Sequence, residues 1–236
     1  MLLQAAPEPP RARLSAQAVA PAERLGVQSS LAALRAHPRS FGALAAILMA
    51  SVGLLAANVF LPLRLSDLGA PPSLIALSAT ASALFEIPVM LMGRQLTERL
   101  GLRGFFVVGC VMYLAAIGSW ILFDDPMVLV ASRVLTGFGF GSFTVSSVVA
   151  LGVLLPAELQ ASAQALRTSA IFAVAVIGYL FGGFVYGFLG SGALFSIAAL
   201  GPILGALLAW RWLPGRNDAA TPPSTGDISE ANARPR

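Results

Sequence analysis

The sequence predicts an all-α membrane protein, with six transmembrane helices between two polar tails. Three observations carry that prediction. Hydrophobic residues make up 57% of the 236 and charged residues only 11%, against about 25% charged in an ordinary soluble domain. Uncharged runs of 18 to 43 residues recur along the chain, and roughly 20 apolar residues carry a helix across a bilayer. Ten-residue strands of alternating polarity are absent, and lipid cannot hydrogen-bond a backbone, so helices remain as the spanning element.

The elements follow in order. Span 1, about 42–65, rests on Phe41 to Leu63, 23 residues without Asp, Glu, Lys or Arg. Span 2, about 70–93, begins in the 18-residue run Leu68 to Phe85 and continues past Glu86. Span 3, about 104–123, is the 20-residue run Gly104 to Phe123. Span 4, about 127–152, takes in Arg133 and then the 24-residue run Val134 to Ala157. Spans 5 and 6, about 167–189 and 192–213, share the 43-residue run Thr168 to Trp210, divided at the small, flexible "GSG" of 190–192. Three units result: a tail over 1–40, a six-helix domain over 41–213 and a tail over 214–236. Both tails are rich in small and polar residues. Neither has enough periodic apolar content to build a core, so both are expected to be disordered. Within the first, "SLAALRAH" at 30–37 has the pattern of a short helix on the membrane surface. The opening "MLLQAAPEPPRARL" lacks an apolar core after a positive segment and does not read as a signal peptide. The single cysteine, Cys110, falls inside span 3 and is expected to be a buried, inert thiol.

Arginine sets the orientation. All fifteen basic residues are Arg, and thirteen lie in the two tails or in the loops after spans 2 and 4. The opposite side carries only Arg64, beside Asp67, Asp124 and Asp125, while Arg133 lies within a span. Positive loops stay cytoplasmic, so both termini are expected there. The formal charge of +4 then reports topology. A nucleic-acid partner is not expected, because no soluble domain exists to carry a basic patch.

Polar residues inside apolar spans are the candidates for function. A charge at the bilayer centre costs roughly 2.5–3.5 kcal/mol, so Glu86 needs a cavity or a partner. Ser78, Ser82 and Glu86 fall at i, i+4 and i+8, one polar stripe on span 2. Pro88 removes a backbone bond to Leu84, which favours a kink beside the acid. Burial disfavours the charged form of a carboxyl, so Glu86 is a candidate proton or substrate site; the alternative is a structural acid bonded to a neighbouring helix. Pairing with Arg133 is not expected. Glu86 lies roughly 24 Å from the outer end of its span and Arg133 roughly 10 Å, at 1.5 Å per residue. Asn58 shares the level of Arg133, and an Asn58–Arg133 contact or shared site is the better pairing, with Arg133 as a packing residue the other reading. Small residues suit close helix packing: Gly137 and Gly141 share a face with Arg133, and Gly178/Gly182, Gly183/Gly187 and Gly201/Gly205 are each four apart. An enzyme is not expected. The only histidine, His37, precedes the first span, and no Gly-x-Ser-Gly element, metal-ligand cluster or phosphate loop occurs. No cofactor is implied, and no filter-like loop suggests a channel.

Two segments carry a family resemblance. "GRQLTERLGLRG", 93–104, resembles the loop between the second and third helices of a major facilitator half, roughly Gly-x-Leu-x-Asp-Arg-x-Gly-Arg-Arg. Gly93, Leu96, Glu98, Arg99, Gly101 and Arg103 match it, with one extra residue after Arg94, Glu for Asp, and Leu102 for an Arg. "SRVLTGFGFG", 132–141, resembles the fourth-helix pattern, and "LPAELQASAQAL", 155–166, the connection before the fifth helix. With "FEIPVM" in span 2, the chain looks most like the C-terminal half of bacterial sugar-efflux-type facilitators; an N-terminal half is the competing assignment. The resemblance implies a bacterial cytoplasmic membrane and a twelve-helix transporter of two six-helix halves, carrying out efflux of a small polar, sugar-like or drug-like solute coupled to protons. It implies a cavity lined by the first, second, fourth and fifth helices of each half, hence Asn58, Glu86, Ser82, Arg133, Ser142 and Tyr179 here. It also implies that an acid and an arginine of the loop can clamp helix ends in one conformation. One half supplies one wall. The chain is then expected to be a fragment, a half that pairs with a second half or with itself, or a non-transporting membrane partner.

Overall fold

The computed structural model describes residues 38–155 and 157–215, where all regular structure is helical. The helices are α1 (Pro38–Asp67), α2 (Pro72–Leu91), α3 (Gly93–Leu122), the short α4 (Pro126–Ala131), α5 (Arg133–Leu154) and α6 (Ala157–Trp212). Among the described residues five stretches are long and apolar enough to cross a membrane, with α4 and α5 forming one of them, Pro126–Leu154. The surface helix expected at 30–37 and nearly all of both tails lie outside the described residues. Where tail and helix meet, residues 38–40 are already helical, ahead of the expected boundary at 41.

The last stretch is 54 residues long, over twice what one crossing needs. It folds back at Gly190, whose φ of 81° and ψ of 175° interrupt the helix. The reversal shows in what the two arms touch. A Cβ on Gly182 would meet Leu194 at 3.2 Å, and Gly178 and Gly201 both face the turn of α1 around Val52 and Gly53. Spans 5 and 6 are therefore two arms joined at one residue, where the sequence suggested a loop. That backbone region is open essentially to glycine alone and costs other residues about 1–3 kcal/mol. Nothing stands within 4 Å of a Cβ at Gly190, so Gly190→Ala should lower unfolding free energy by about that amount through strain alone, measurable by SDS-induced unfolding.

The signature segment also differs from the expected loop. Residues from Gly93 are helical, and the break comes at Gly101, with φ 72° and ψ 161°. Likewise "AELQASAQAL" already belongs to α6, ten residues before the expected start of span 5. Polar side chains satisfy local backbone there: Gln160 Nε2 donates to Gly152 O at 2.8 Å and Gln164 Nε2 to Val148 O at 2.8 Å.

Close packing decides the arrangement. α1 lies against both arms of α6, where a Cβ on Gly53 would stand 2.0 Å from Ala198 O. α5 runs parallel to α2, turn against turn: Arg133 meets Ser78, Gly137 meets Ser82, Gly141 meets Val89 and Val145 meets Gly93. On its other side α5 packs on α3 through Gly109 and Gly139. Not every glycine pair works this way. A Cβ on Gly182 would stand 2.6 Å from the Phe60 ring, one on Gly178 would have ordinary contact distances, and one on Gly187 would meet nothing within 4 Å. The core holds Phe105, Phe106, Tyr113, Trp120 and Phe195, with Cys110 buried among them as expected. Trp120 stacks edge-on against Phe195 at 5.4 Å and donates its Nε1 hydrogen to Ser132 Oγ at 2.7 Å. α2 is the outlier, burying only Ser78 and Val89. Leu84 and Leu91 on α2, and Leu180 and Phe188 on α6, are 64 to 80% exposed. Apolar surface this extensive belongs against lipid or a partner.

Candidate functional site

The candidate site grows from the start of α5. Asp125 caps α4, its side chain accepting from the Met127 N–H at 2.8 Å, and Pro126 opens that helix. Ser132 then interrupts the span, so Arg133 becomes the first residue of α5. From there its side chain reaches two neighbours. The Nε donates to Ser78 O of α2 at 3.1 Å, and a terminal nitrogen donates to Asn58 Oδ1 of α1. Asn58 passes the network on, its Nδ2 donating to the Tyr113 hydroxyl of α3 at 2.6 Å. Thr136 Oγ1 donates to Arg133 O at 2.8 Å and lies 3.2 Å from Ser82 Oγ. Five side chains from four helices thus form one polar cluster inside an apolar bundle.

Its energetics explain the geometry. A guanidinium at membrane depth costs roughly 2.5–3.5 kcal/mol. Hydrogen bonds to a charged group contribute about 1.5–3 kcal/mol each, so two can offset that cost. Among the described residues no carboxylate forms an ion pair with Arg133. The cluster therefore holds a positive charge by neutral acceptors, which leaves its attraction for an anion unspent.

Glu86 stands apart. It is half-buried and has no hydrogen-bond partner among the described residues. Ser78 is two turns away along α2, about 12 Å, so Glu86 and Arg133 are not paired. The Glu86 backbone packs on α5, where a Cβ on Gly141 would stand 3.2 Å from Glu86 O. α2 continues as α-helix through Pro88, and the Met92 N–H closes back on Pro88 O at 2.9 Å.

The other sequence candidates scatter. Ser142 is fully buried against Gly109 of α3 and donates to Phe138 O at 2.9 Å, outside the cluster. Tyr179 lines a separate pocket between α1, α5 and α6. In the loop motif, Glu98 accepts from Arg94 Nε at 2.8 Å within its own helix, with both side chains largely exposed; such a pair contributes little. The tie between helix ends is made by Arg103, whose Nε donates to Leu213 O at 2.8 Å beyond the end of α6. Arg99 is exposed. At the opposite end of the bundle Arg64 pairs with Asp124 at 2.5 Å, and Tyr186, stacked on Phe60, donates to Asp67.

Sequence reasoning missed Tyr113 and Thr136. A hydroxyl-bearing ring in the middle of span 3 was the available signal for Tyr113. Only the fold shows that it faces Asn58, 55 residues earlier.

Comparison with curated proteins finds no match. Comparison with family profiles matches residues 41–235 to the Major Facilitator Superfamily. That match covers the apolar helices described above from residue 41 onward, and with the bundle and its signature segment it establishes that this chain is an integral membrane protein belonging to the Major Facilitator Superfamily of solute transporters.

Proposed function

We propose that this chain is one six-helix half, of the C-terminal type, of a proton-coupled exporter of small sugar-like or drug-like solutes in a bacterial cytoplasmic membrane. Both tails then face the cytoplasm, and the arginine-rich end of the bundle, with Arg94, Arg99, Arg103 and Arg167, is the cytoplasmic end. The observation that carries the proposal is the polar cluster of Asn58, Tyr113 and Arg133, with Glu86 two turns along α2 from the residue that Arg133 grips. Its residues come from α1, α2, α3 and α5, and membrane-buried charges of this kind mark substrate and ion pathways. Glu86 takes and releases the proton; Arg133, held by Asn58, orients the solute. Moving one proton through the membrane potential yields roughly 2.3 kcal/mol per 100 mV, enough for uphill export. Proteins of this kind alternate access by rocking two halves around a midplane site. The second wall comes from another half or from a second copy, seated on the exposed apolar faces of α2 and α6.

Proteoliposomes test this reading. With an imposed pH gradient, the chain should move labelled lactose or ethidium, and the flux should be abolished in Glu86→Gln. Equal flux in the two proteins removes the proton role of Glu86. Absence of flux from the chain both alone and with a co-expressed second half favours a non-transporting membrane partner, a reading supported by the single wall that this bundle provides.

A further inference from the structure

A pocket of about 400 Å³ lies between α1, α5 and the first arm of α6, and we propose that it binds an organic monoanion with an apolar body, a lipophilic carboxylate, headgroup on Arg167. This rests on the transport reading and narrows its substrate class from sugar-like toward drug-like. The lining decides the class. Leu54 and Leu55 come from α1, Phe140 and Phe143 from α5, Phe172 and Tyr179 from α6. Sugar sites need several polar groups converging on hydroxyls, and this wall is mostly rings and branched chains. Its hydroxyl groups, on Ser51, Thr144 and Tyr179, are few, and Ser51 Oγ is already spent on Ile47 O at 2.7 Å.

Charge enters at one end only. Arg167 Nε donates to Gln164 Oε1 and one terminal nitrogen donates to Ser147 Oγ, both at 3.0 Å. Those bonds use two of the five N–H donors of a guanidinium. Among the described residues no carboxylate pairs with it. Gln164 and Ser147 thus fix the fork in place, as a carboxylate site requires. From Arg167 to Tyr179 the lining climbs α6 by twelve residues, about 18 Å, so the ligand extends from its carboxylate along the helix. Its far end comes within one turn of Asn58, which follows Leu54 by four residues on α1.

Equilibrium binding tests this without requiring transport. The chain is placed in nanodiscs of neutral phosphatidylcholine, with empty discs as background. The probes are radiolabelled 4-phenylbutyrate, the matched neutral 4-phenylbutanol, and decanoate as a membrane-dissolved source of the same carboxylate chemistry. Wild type should bind 4-phenylbutyrate saturably and at least tenfold tighter than the alcohol, the factor that one charge-assisted bond supplies. Arg167→Gln should remove that preference, while Arg167→Lys, which keeps the charge and loses the planar fork, should still prefer the acid over the alcohol but bind it more weakly than wild type. Val176→Trp, on the pocket rim, should weaken acid and alcohol alike. Competition by decanoate assigns the site to a ligand drawn from the bilayer, and lack of competition to a soluble aryl acid. Binding no better than to empty discs, equal affinity for acid and alcohol, or displacement by lactose overturns the proposal; the acid-to-alcohol ratio in wild type decides even if a variant fails to fold. Saturable acid binding without Glu86-dependent flux keeps the pocket and removes the transport reading, and flux without acid binding does the reverse.

Discussion

Gly53→Ala will unfold at markedly lower denaturant than wild type, whereas Gly187→Ala will be neutral or slightly more stable. Both glycines sit in apolar helices, so propensity alone predicts the same gain for each, about 1 kcal/mol for Gly to Ala. Space separates them. The new methyl at position 53 would stand 2.0 Å from Ala198 O and 2.8 Å from Pro202 Cδ. Backbone and a proline ring cannot swing away, so α1 and the second arm of α6 must part. Overpacking costs about 1–3 kcal/mol and sometimes more, and here it also strains the contact at Gly201 and Gly205, where an added Cβ would likewise stand within 3 Å of α1. A methyl at position 187 would meet nothing within 4 Å, and only the helix term remains. SDS titration of the two purified variants gives the ranking; equal midpoints would mean that α1 is not clamped by α6.

Arg133 carries the second large effect, with an unusual order of substitutions. Arg133→Gln removes the charge and keeps a short donor. Arg133→Lys keeps the charge and loses the planar fork that reaches Ser78 O and Asn58 Oδ1 together. The lysine still bears the roughly 2.5–3.5 kcal/mol cost of a charge in the membrane, with about one bond of 1.5–3 kcal/mol to set against it. Lys should therefore be the less stable variant, by about 1–2 kcal/mol relative to Gln on the same figures. Solute flux should fall to background in both, because Asn58 and the Tyr113 hydroxyl lose the partner that orients them. Thermal unfolding in detergent alongside the flux assay reads both effects. A stable, active Arg133→Lys would show that the charge alone matters and the two-helix grip does not.

Much of this was legible in the linear chain. Apolar runs located the helices because insertion into lipid depends on local, summed hydrophobicity. The level of Arg133 relative to Asn58 could be counted at a fixed rise per residue, and the two side chains do meet. Punctuation was less legible. "GSG" marked the right place for a reversal, but that Gly190 makes it alone follows from its backbone angles and from the packing of two arms on α1. The motif segment read as a loop through its family resemblance; it is helical because its Arg, Gln, Leu and Glu are good helix formers, and the break falls at Gly101.

The sequence by itself determined that this chain lives in a bilayer as a bundle of apolar helices and that its few intramembrane polar groups are worth watching. The tertiary structure alone decided which of them meet. Tyr113 finds Asn58, Ser82 finds Thr136, Ser142 turns to α3, and Tyr179 joins Arg167 at a different pocket. The reason is rotational. Hydropathy sets how deep each residue sits, but the angle at which a helix turns about its axis comes from where its glycines let a neighbour approach, and such a neighbour can lie far off in the chain, as Ala198 does from Gly53 and Ser82 from Gly137.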